Sequence, residues 1–382
     1  MTQTPTRSQA ADSFDLVQQE RGTFNFSAGP GCIPEPVIKR AQADMFDLFG
    51  TGIGILEHSH RGEAFDRVLH EAIADCRAVG NIPDNYHVLF LQGGATTQCW
   101  QVPANFLAEG RTADYFDTGK WASDSIKGAA GYGEAHVAGS SKTDKYSYIP
   151  TGEQVSHSDN PAYVHFTSNN TIMGTSFPAL PQTPGESFLV CDASSDIYSR
   201  PIDITKYGLL YAGGQKNLGP AGTVLVMVRD DVLQERTVRD LHPMMSYKTQ
   251  AAKESRYNTP PTFGIYLMGQ TFKWILEQGG LETIEKHNVA KAKIIYDVLD
   301  SVDFYKPHVR EPAHRSLMNA TFTTPSAELD TKFVAEAKAA GLDGLAGHRS
   351  IGGMRASMYN AFPRAGCEAM AQFMRDFAAR NG

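Results

Sequence analysis

From residue 86 onward the chain alternates between short, nearly uninterrupted apolar runs and longer mixed segments. YHVLFLQGG (86–94), ADYFDTG (113–119), AYVHFTSN (162–169), SFLVCDAS (187–194), GLLYAGG (208–214) and TVLVMVR (223–229) read as strands. A strand that is apolar at almost every position is what a sheet covered on both faces requires. Between several of these runs lie segments that read as helices, at 97–109 and 122–130. Strand–helix alternation of this kind predicts an α/β domain with a mainly parallel sheet.

The pattern changes after residue 260. A long helical region runs from about 263 to 299, broken at Gly279-Gly280. Beyond it come strand-like MNATFTT (318–324), a helix over 330–340, strand-like MRASMYN (354–360) and a closing helix over 367–380. These elements predict a second, smaller α+β domain. Ligands of parallel sheets sit beyond the carboxyl ends of the strands, so the residues just after each strand are the ones to search for chemistry.

Composition narrows the class. The 382 residues are 41% hydrophobic and 20% charged, enough apolar material for a large core and a second domain. The net charge of -7 argues against a nucleic-acid or membrane surface, so an anionic substrate needs a local cluster of Arg and His. The five cysteines, Cys32, Cys76, Cys99, Cys191 and Cys367, are scattered and nowhere spaced as CxxC. They read as thiols in a reducing compartment and give no metal-ligand spacing. The N-terminal residues lack the apolar stretch of a signal peptide, and no apolar run reaches membrane-spanning length. The expectation is a cytoplasmic protein with a polar tail over 1–22.

Four clusters and two further single residues carry candidate chemistry. Asp192 ends the apolar run SFLVCDASS, where a buried carboxylate is costly unless a cation meets it. A protonated pyridine nitrogen is such a cation; a turn or helix-cap Asp is the plainer alternative. Lys216 lies in YAGGQKNLGPAG, a glycine-rich and otherwise nearly uncharged turn after another strand. Shelter from water lowers a lysine's pKa and frees its amine for Schiff-base chemistry, whereas an isolated surface lysine would do nothing. LQGGATTQ follows a strand and leads into a helix, so backbone N–H groups around Ala95 and Thr96 suit a phosphate. It is neither GxGxxG nor a Walker A sequence. Trp121 in TGKWAS is placed to stack on a planar ring or to pack in the core, and Thr171 in SNNTIMG follows a strand. Finally, Arg61 in EHSHRG and His348, Arg349 and Arg355 in GHRSIGGMRAS supply cations suited to carboxylate and phosphate.

Taken together these stretches resemble the phosphoserine aminotransferase family, within the class V, fold-type I enzymes that use pyridoxal 5'-phosphate (PLP). The resemblance rests on FNFSAGP (24–30), SHRG (59–62), CDASSDIYSRPID (191–203), YAGGQKNLGPAG (211–222), YNTPPTF (257–263), FKWI with the following GG, and GHRSIGGMRASMYNA (347–361), in the family's order. It implies a large PLP-binding domain over 34–282 and a small domain from 23–33 and 283–382. It implies that Lys216 bonds covalently to PLP, that Asp192 pairs with the ring nitrogen, and that Trp121 stacks on the ring. Thr171 and Gln215 become further cofactor contacts, and Ala95 and Thr96 the phosphate cradle. Some members carry Gly-Arg at 95–96, so here backbone groups alone supply that cradle.

By the same resemblance, Asn258 and Thr259 reach the cofactor phosphate of a neighbouring subunit, which implies a homodimer with shared active sites. Arg61 and Arg355 bind the substrate carboxylate, and His348 with Arg349 the substrate phosphate. The implied reaction is ping-pong amino transfer between L-glutamate and 3-phosphohydroxypyruvate. It serves serine biosynthesis, with the phosphohydroxythreonine step of vitamin B6 synthesis left open. The alternatives are an alanine– or serine–glyoxylate type aminotransferase, a cysteine desulfurase, which needs an exposed nucleophilic Cys, and a non-catalytic PLP-binding protein.

Overall fold

The computed structural model describes residues 16–382, so most of the expected polar tail lies outside the described residues. The chain opens with β1 (Phe24–Asn25), α1 (Glu35–Asp44) and α2 (Glu63–Gly80). There follow β2 (Tyr86–Gln92), α3 (Gly94–Phe106), β3 (Thr112–Asp117), α4 (Lys120–Ala129), β4 (Glu134–Ser140), β5 (Tyr163–Thr167), β6 (Asn169–Asn170), β7 (Thr175–Ser176), β8 (Phe188–Asp192), β9 (Leu209–Gly213) and β10 (Thr223–Arg229). Helices α5 (Asp230–Glu235), α6 (Tyr247–Ala252), α7 (Thr262–Glu277) and α8 (Leu281–Ser301) come next. The chain ends with β11 (Lys306–Pro307), β12 (Asn319–Thr323), α9 (Ala327–Ala339), β13 (Leu342–Asp343), β14 (Met354–Ser357) and α10 (Arg364–Asn381).

Seven strands form the central sheet in the order β2-β10-β9-β8-β5-β3-β4. Every neighbouring pair is parallel except those that β10 makes with β2 and β9. The expected α/β fold with a mostly parallel, mixed sheet is therefore what forms. The six apolar runs of the sequence are six of its strands. The seventh, β4, escaped the reading because it is an edge strand whose sequence EAHVAGS is half exposed.

Both faces of the sheet are covered, as the apolar strands require. On one face, Leu89, Leu91, Val190, Tyr211, Val224 and Val226 pack with Val102 and Phe106 of α3. On the other, Phe90, Leu189, Leu210 and Leu225 pack with α2 and α7. Helix α2 buries Phe65, Val68, Leu69, Ala72, Cys76 and Val79, a helical stripe. It meets α7 so closely that a Cβ on Gly269 would lie 2.9 Å from that of Ala72.

A third apolar cluster draws Phe26 and Cys32 together with Ile295, Phe322, Phe333, Met354, Met370 and Phe377. The N-terminal segment reaches it because β1 pairs in parallel with β13. Helix α8 belongs to both regions: Leu281 and Ile284 pack toward the large sheet's core, Ala292 and Ile295 toward the third cluster. The glycines that break α7 from α8 both have positive φ, 94° at Gly279 and 79° at Gly280, so the chain reverses there at little steric cost.

Candidate active site

The carboxyl ends of β2, β8 and β9 meet the N-termini of α3 and α4 around a cavity of about 420 Å³. Its walls include Gly93, Gly94, Ala95, Thr96, Trp121, Asp192, Gln215 and Lys216. The volume falls in the range of small-molecule sites, ~300–1,000 Å³.

Asp192 is the last residue of β8 and is buried. Its Oδ1 accepts two hydrogen bonds from Ser194, from N at 3.0 Å and from Oγ at 2.6 Å. Ser194 Oγ in turn accepts from the backbone N–H of Gly213 at the end of β9, at 3.0 Å. The carboxylate is thus tied to two adjacent strands. Burial raises its pKa, and the charge of Lys216 and the Ser194 hydrogen bonds oppose that rise. The role of Ser194 was not read from the sequence, although a hydroxyl two residues after a strand-ending Asp is a common local turn.

Lys216 is only 8% exposed. Its Nζ donates to Thr171 Oγ1 at 2.7 Å. Burial brings its pKa down to about 8; Asp192 pulls it up, and Arg355 pushes it down further. The lysine therefore has a neutral amine within reach at ordinary pH, which an exposed lysine lacks. Nearby, the backbone just after FNFSAGP closes over the turn: Gly31 N donates to Gln215 O at 2.8 Å. A Cβ on Gly31 would lie 2.6 Å from the Tyr359 ring, so this approach needs a glycine.

Helix α3 begins at Gly94, three residues before the sequence pattern suggested. Gly93 and Gly94 both have positive φ, and a Cβ on Gly93 would fall 1.9 Å from Thr97 Oγ1. The turn thereby leaves the first backbone N–H groups of α3 without intrahelical acceptors, pointing where an anion is favoured. No side chain caps them. Trp121 stands in the first turn of α4 and remains 38% exposed, a broad ring left open on the cavity wall.

These groups fit PLP. A buried carboxylate suits a ring nitrogen, a low-pKa lysine suits an aldehyde, and an uncapped helix start suits a phosphate. Gln215 Oε1 is buried without a hydrogen-bond partner, which is a polar group awaiting one.

Arg355 projects from β14 toward the same region. Its Nη1 reaches the Thr171 carbonyl at 3.5 Å, and its Nε is buried without a partner. His348 and Arg355 line an adjoining cavity of about 460 Å³. His348 Nδ1 lies 2.7 Å from Ser350 Oγ, and burial, with Arg355 and Arg349 nearby, lowers its pKa. Arg349 is exposed.

Arg61, Asn258 and Thr259 stand apart from both cavities within one chain. Arg61 is exposed, its Nε against His60 Nε2 at 3.3 Å. Thr259 touches the region only through its carbonyl, which accepts from Gln92 Nε2 at 3.3 Å. All five cysteines are buried, and Cys99, which borders the cavity, has its thiol pushed up to about 11 by burial. None is the exposed nucleophile of a desulfurase.

Comparison with known proteins agrees with this geometry. The family model of class-V aminotransferases matches residues 23–370. The phosphoserine aminotransferase of Desulfotalea psychrophila is 47% identical over 358 residues, covering 94% of this chain and 98% of that protein. That of Geobacillus kaustophilus is 48% identical with the same coverage. The solved phosphoserine aminotransferase of Bacillus circulans subsp. alkalophilus superimposes with a TM-score of 0.92 at 47% identity, covering 95% of this chain and all of that one. The chain belongs to the class-V aminotransferases and, within them, to the phosphoserine aminotransferase family.

Proposed function

We propose that the protein is a PLP-dependent aminotransferase acting on L-glutamate and 3-phosphohydroxypyruvate, giving 2-oxoglutarate and O-phospho-L-serine. The observation that carries this reading is the buried set Lys216, Asp192 and Thr171 beside an uncapped helix start, with Arg355 and His348 next to it. When bound, PLP supplies an aldehyde that exchanges amines and a ring that accepts electrons.

The chain's own residues do the rest. The α3 N-terminus at Gly94–Thr96 holds the cofactor phosphate, and Trp121 covers one face of the ring. Asp192, kept in place by Ser194, holds a proton at the ring nitrogen. Thr171 and Gln215 orient the polar groups at the ring edge. The Lys216 amine, whose neutral form burial favours, takes the proton from the substrate Cα and returns it in the reverse direction. Arg355 binds the substrate carboxylate, and His348 with Arg349 the substrate phosphate. Arg61, Asn258 and Thr259 act in the site of a second copy of the chain, since one chain does not bring them to its own cavity; the protein works as a homodimer. The proposed division is 34–282 against 23–33 with 283–382.

The test compares kcat/KM for 3-phosphohydroxypyruvate, the phosphorylated keto acid of vitamin B6 synthesis and glyoxylate, each with glutamate. The phosphorylated substrates should lead by at least two orders of magnitude. A preference for glyoxylate would return the protein to the glyoxylate-type alternative.

A further inference from the structure

The 460 Å³ cavity beside the Lys216 pocket is lined by much more than His348 and Arg355. Apart from Ile172 and the 347–355 segment that carries His348 and Arg355, its lining comes from two parts of the chain that are distant in sequence. One wall is the 143–147 turn after β4; the other is β11, the residues after it, and β12. His308 joins the two: its backbone N donates to Thr321 O at 2.9 Å, and its Nε2 lies 2.9 Å from Lys145 O.

The lining is strongly one-signed. Lys145, Lys306, Arg310 and Arg355 are all on it, with His308 and His348, against the single carboxylate of Asp144. Among the described residues, Lys145, Lys306 and Arg310 enter no salt bridge, although the chain as a whole carries a net charge of -7. Burial lowers the pKa of His308, the hydrogen bond to the Lys145 carbonyl partly opposes that, and the Lys145 charge adds a smaller push downward. Lys145 is also held at φ 54°, in the left-handed region, with Tyr146 next to it at 59°. Such backbone is costly for residues with a Cβ and points to a turn whose placement matters.

We propose that Lys145, Lys306 and Arg310 form an anion-collecting vestibule for a phosphate monoester dianion, opening into the Lys216 pocket past Arg355. A positive, concave surface on an otherwise negative protein concentrates a dianion at its mouth and raises its rate of capture, an effect that salt screens. The phosphorylated keto acid gains from this more than glutamate, whose amino group offsets part of its charge. The proposal rests on the phosphorylated-substrate reading above, but its binding arm does not.

The test is the holoenzyme with Lys145→Gln, Lys306→Gln and Arg310→Gln together. Lys145, Lys306 and Arg310 are exposed, and Gln keeps most of each stem, so the melting temperature should be unchanged. At low ionic strength, kcat/KM for 3-phosphohydroxypyruvate should fall about tenfold, with kcat and the half-reaction with glutamate unaltered. The gap should narrow to under about twofold in 0.5 M salt. In the binding arm, calorimetry with inorganic phosphate should show affinity or stoichiometry lost in the triple variant. Equal loss for glutamate and the phosphorylated substrate, or a defect independent of salt, would overturn the vestibule. So would phosphate binding identical in the two proteins. If the unaltered enzyme rejects 3-phosphohydroxypyruvate, the function assigned above fails, while the phosphate measurement still decides the vestibule. Loss of phosphate binding without a kinetic effect would overturn the substrate-capture role and leave free phosphate as the site's occupant.

Discussion

Lys216 and Asp192 are buried on the wall of one pocket, and burial drives both toward their neutral forms while each one's charge opposes the shift in the other. The lysine's position gives a direct measurement. In cofactor-free protein, pH-dependent labelling of lysines followed by mass spectrometry should show Lys216 reacting with a midpoint near pH 8. Exposed lysines react near ~10.4. A Lys216 midpoint in the exposed range would mean that the pocket does not exclude water. The sequence named both residues, because a strand-ending Asp and a glycine-bounded Lys are visible as letters. It did not name Ser194, whose bonds to Asp192 are a local turn but whose tie to the Gly213 N–H needs the neighbouring strand.

At the scale of elements, the site depends on how closely α3 and α4 approach. A Cβ on Gly128 of α4 would lie 2.0 Å from the Cys99 carbonyl of α3, backbone that cannot move aside as a side chain can. Gly128→Ala should therefore destabilise the protein by about 1–3 kcal/mol in chemical unfolding, and should weaken PLP binding because both helix starts border the cavity. Unchanged stability would show that the helices can separate freely. The strand runs were legible because burial on both faces leaves an uninterrupted apolar signature. Edge strand β4 was not, and neither was the early start of α3 in the glycines at 93–94, since glycines mark a turn and a helix start equally well.

For the whole molecule, two buried histidines link folding to pH. His165 on the central strand β5 and His287 on α8 both have pKa values lowered to about 3, chiefly by burial. Each is neutral when folded and takes up a proton on unfolding below about 6.5, so each contributes stability that is present above that pH and lost as pH falls toward 3. His287, whose Nε2 lies 3.2 Å from the Phe362 carbonyl, is the less deeply buried of the two. His287→Gln should flatten the loss of stability between pH 6 and 4 by about 1.4 kcal/mol per pH unit. An unchanged slope would mean that His287 is already protonated in the folded state.

Assembly is tested at the same scale. Mixed Lys216→Ala and Asn258→Ala subunits should recover part of the activity that neither homodimer has, because one of the two sites in a heterodimer is intact. Absence of recovery in isolated heterodimers would place Asn258 in its own chain's site.

Local order was enough to specify the strand runs, the Asp–Lys pair, the phosphate-competent turn and the cationic motif near the C-terminus, because each is a short stretch whose chemistry depends on its immediate neighbours. Tertiary structure alone decided the rest. It set the reversed strand β10 between β2 and β9, the recruitment of Phe26 and Cys32 to the C-terminal core, and the meeting of Lys145 with Lys306, His308 and Arg310. Those are contacts between residues far apart in the chain, and no local pattern encodes which distant surfaces will be driven together to leave water.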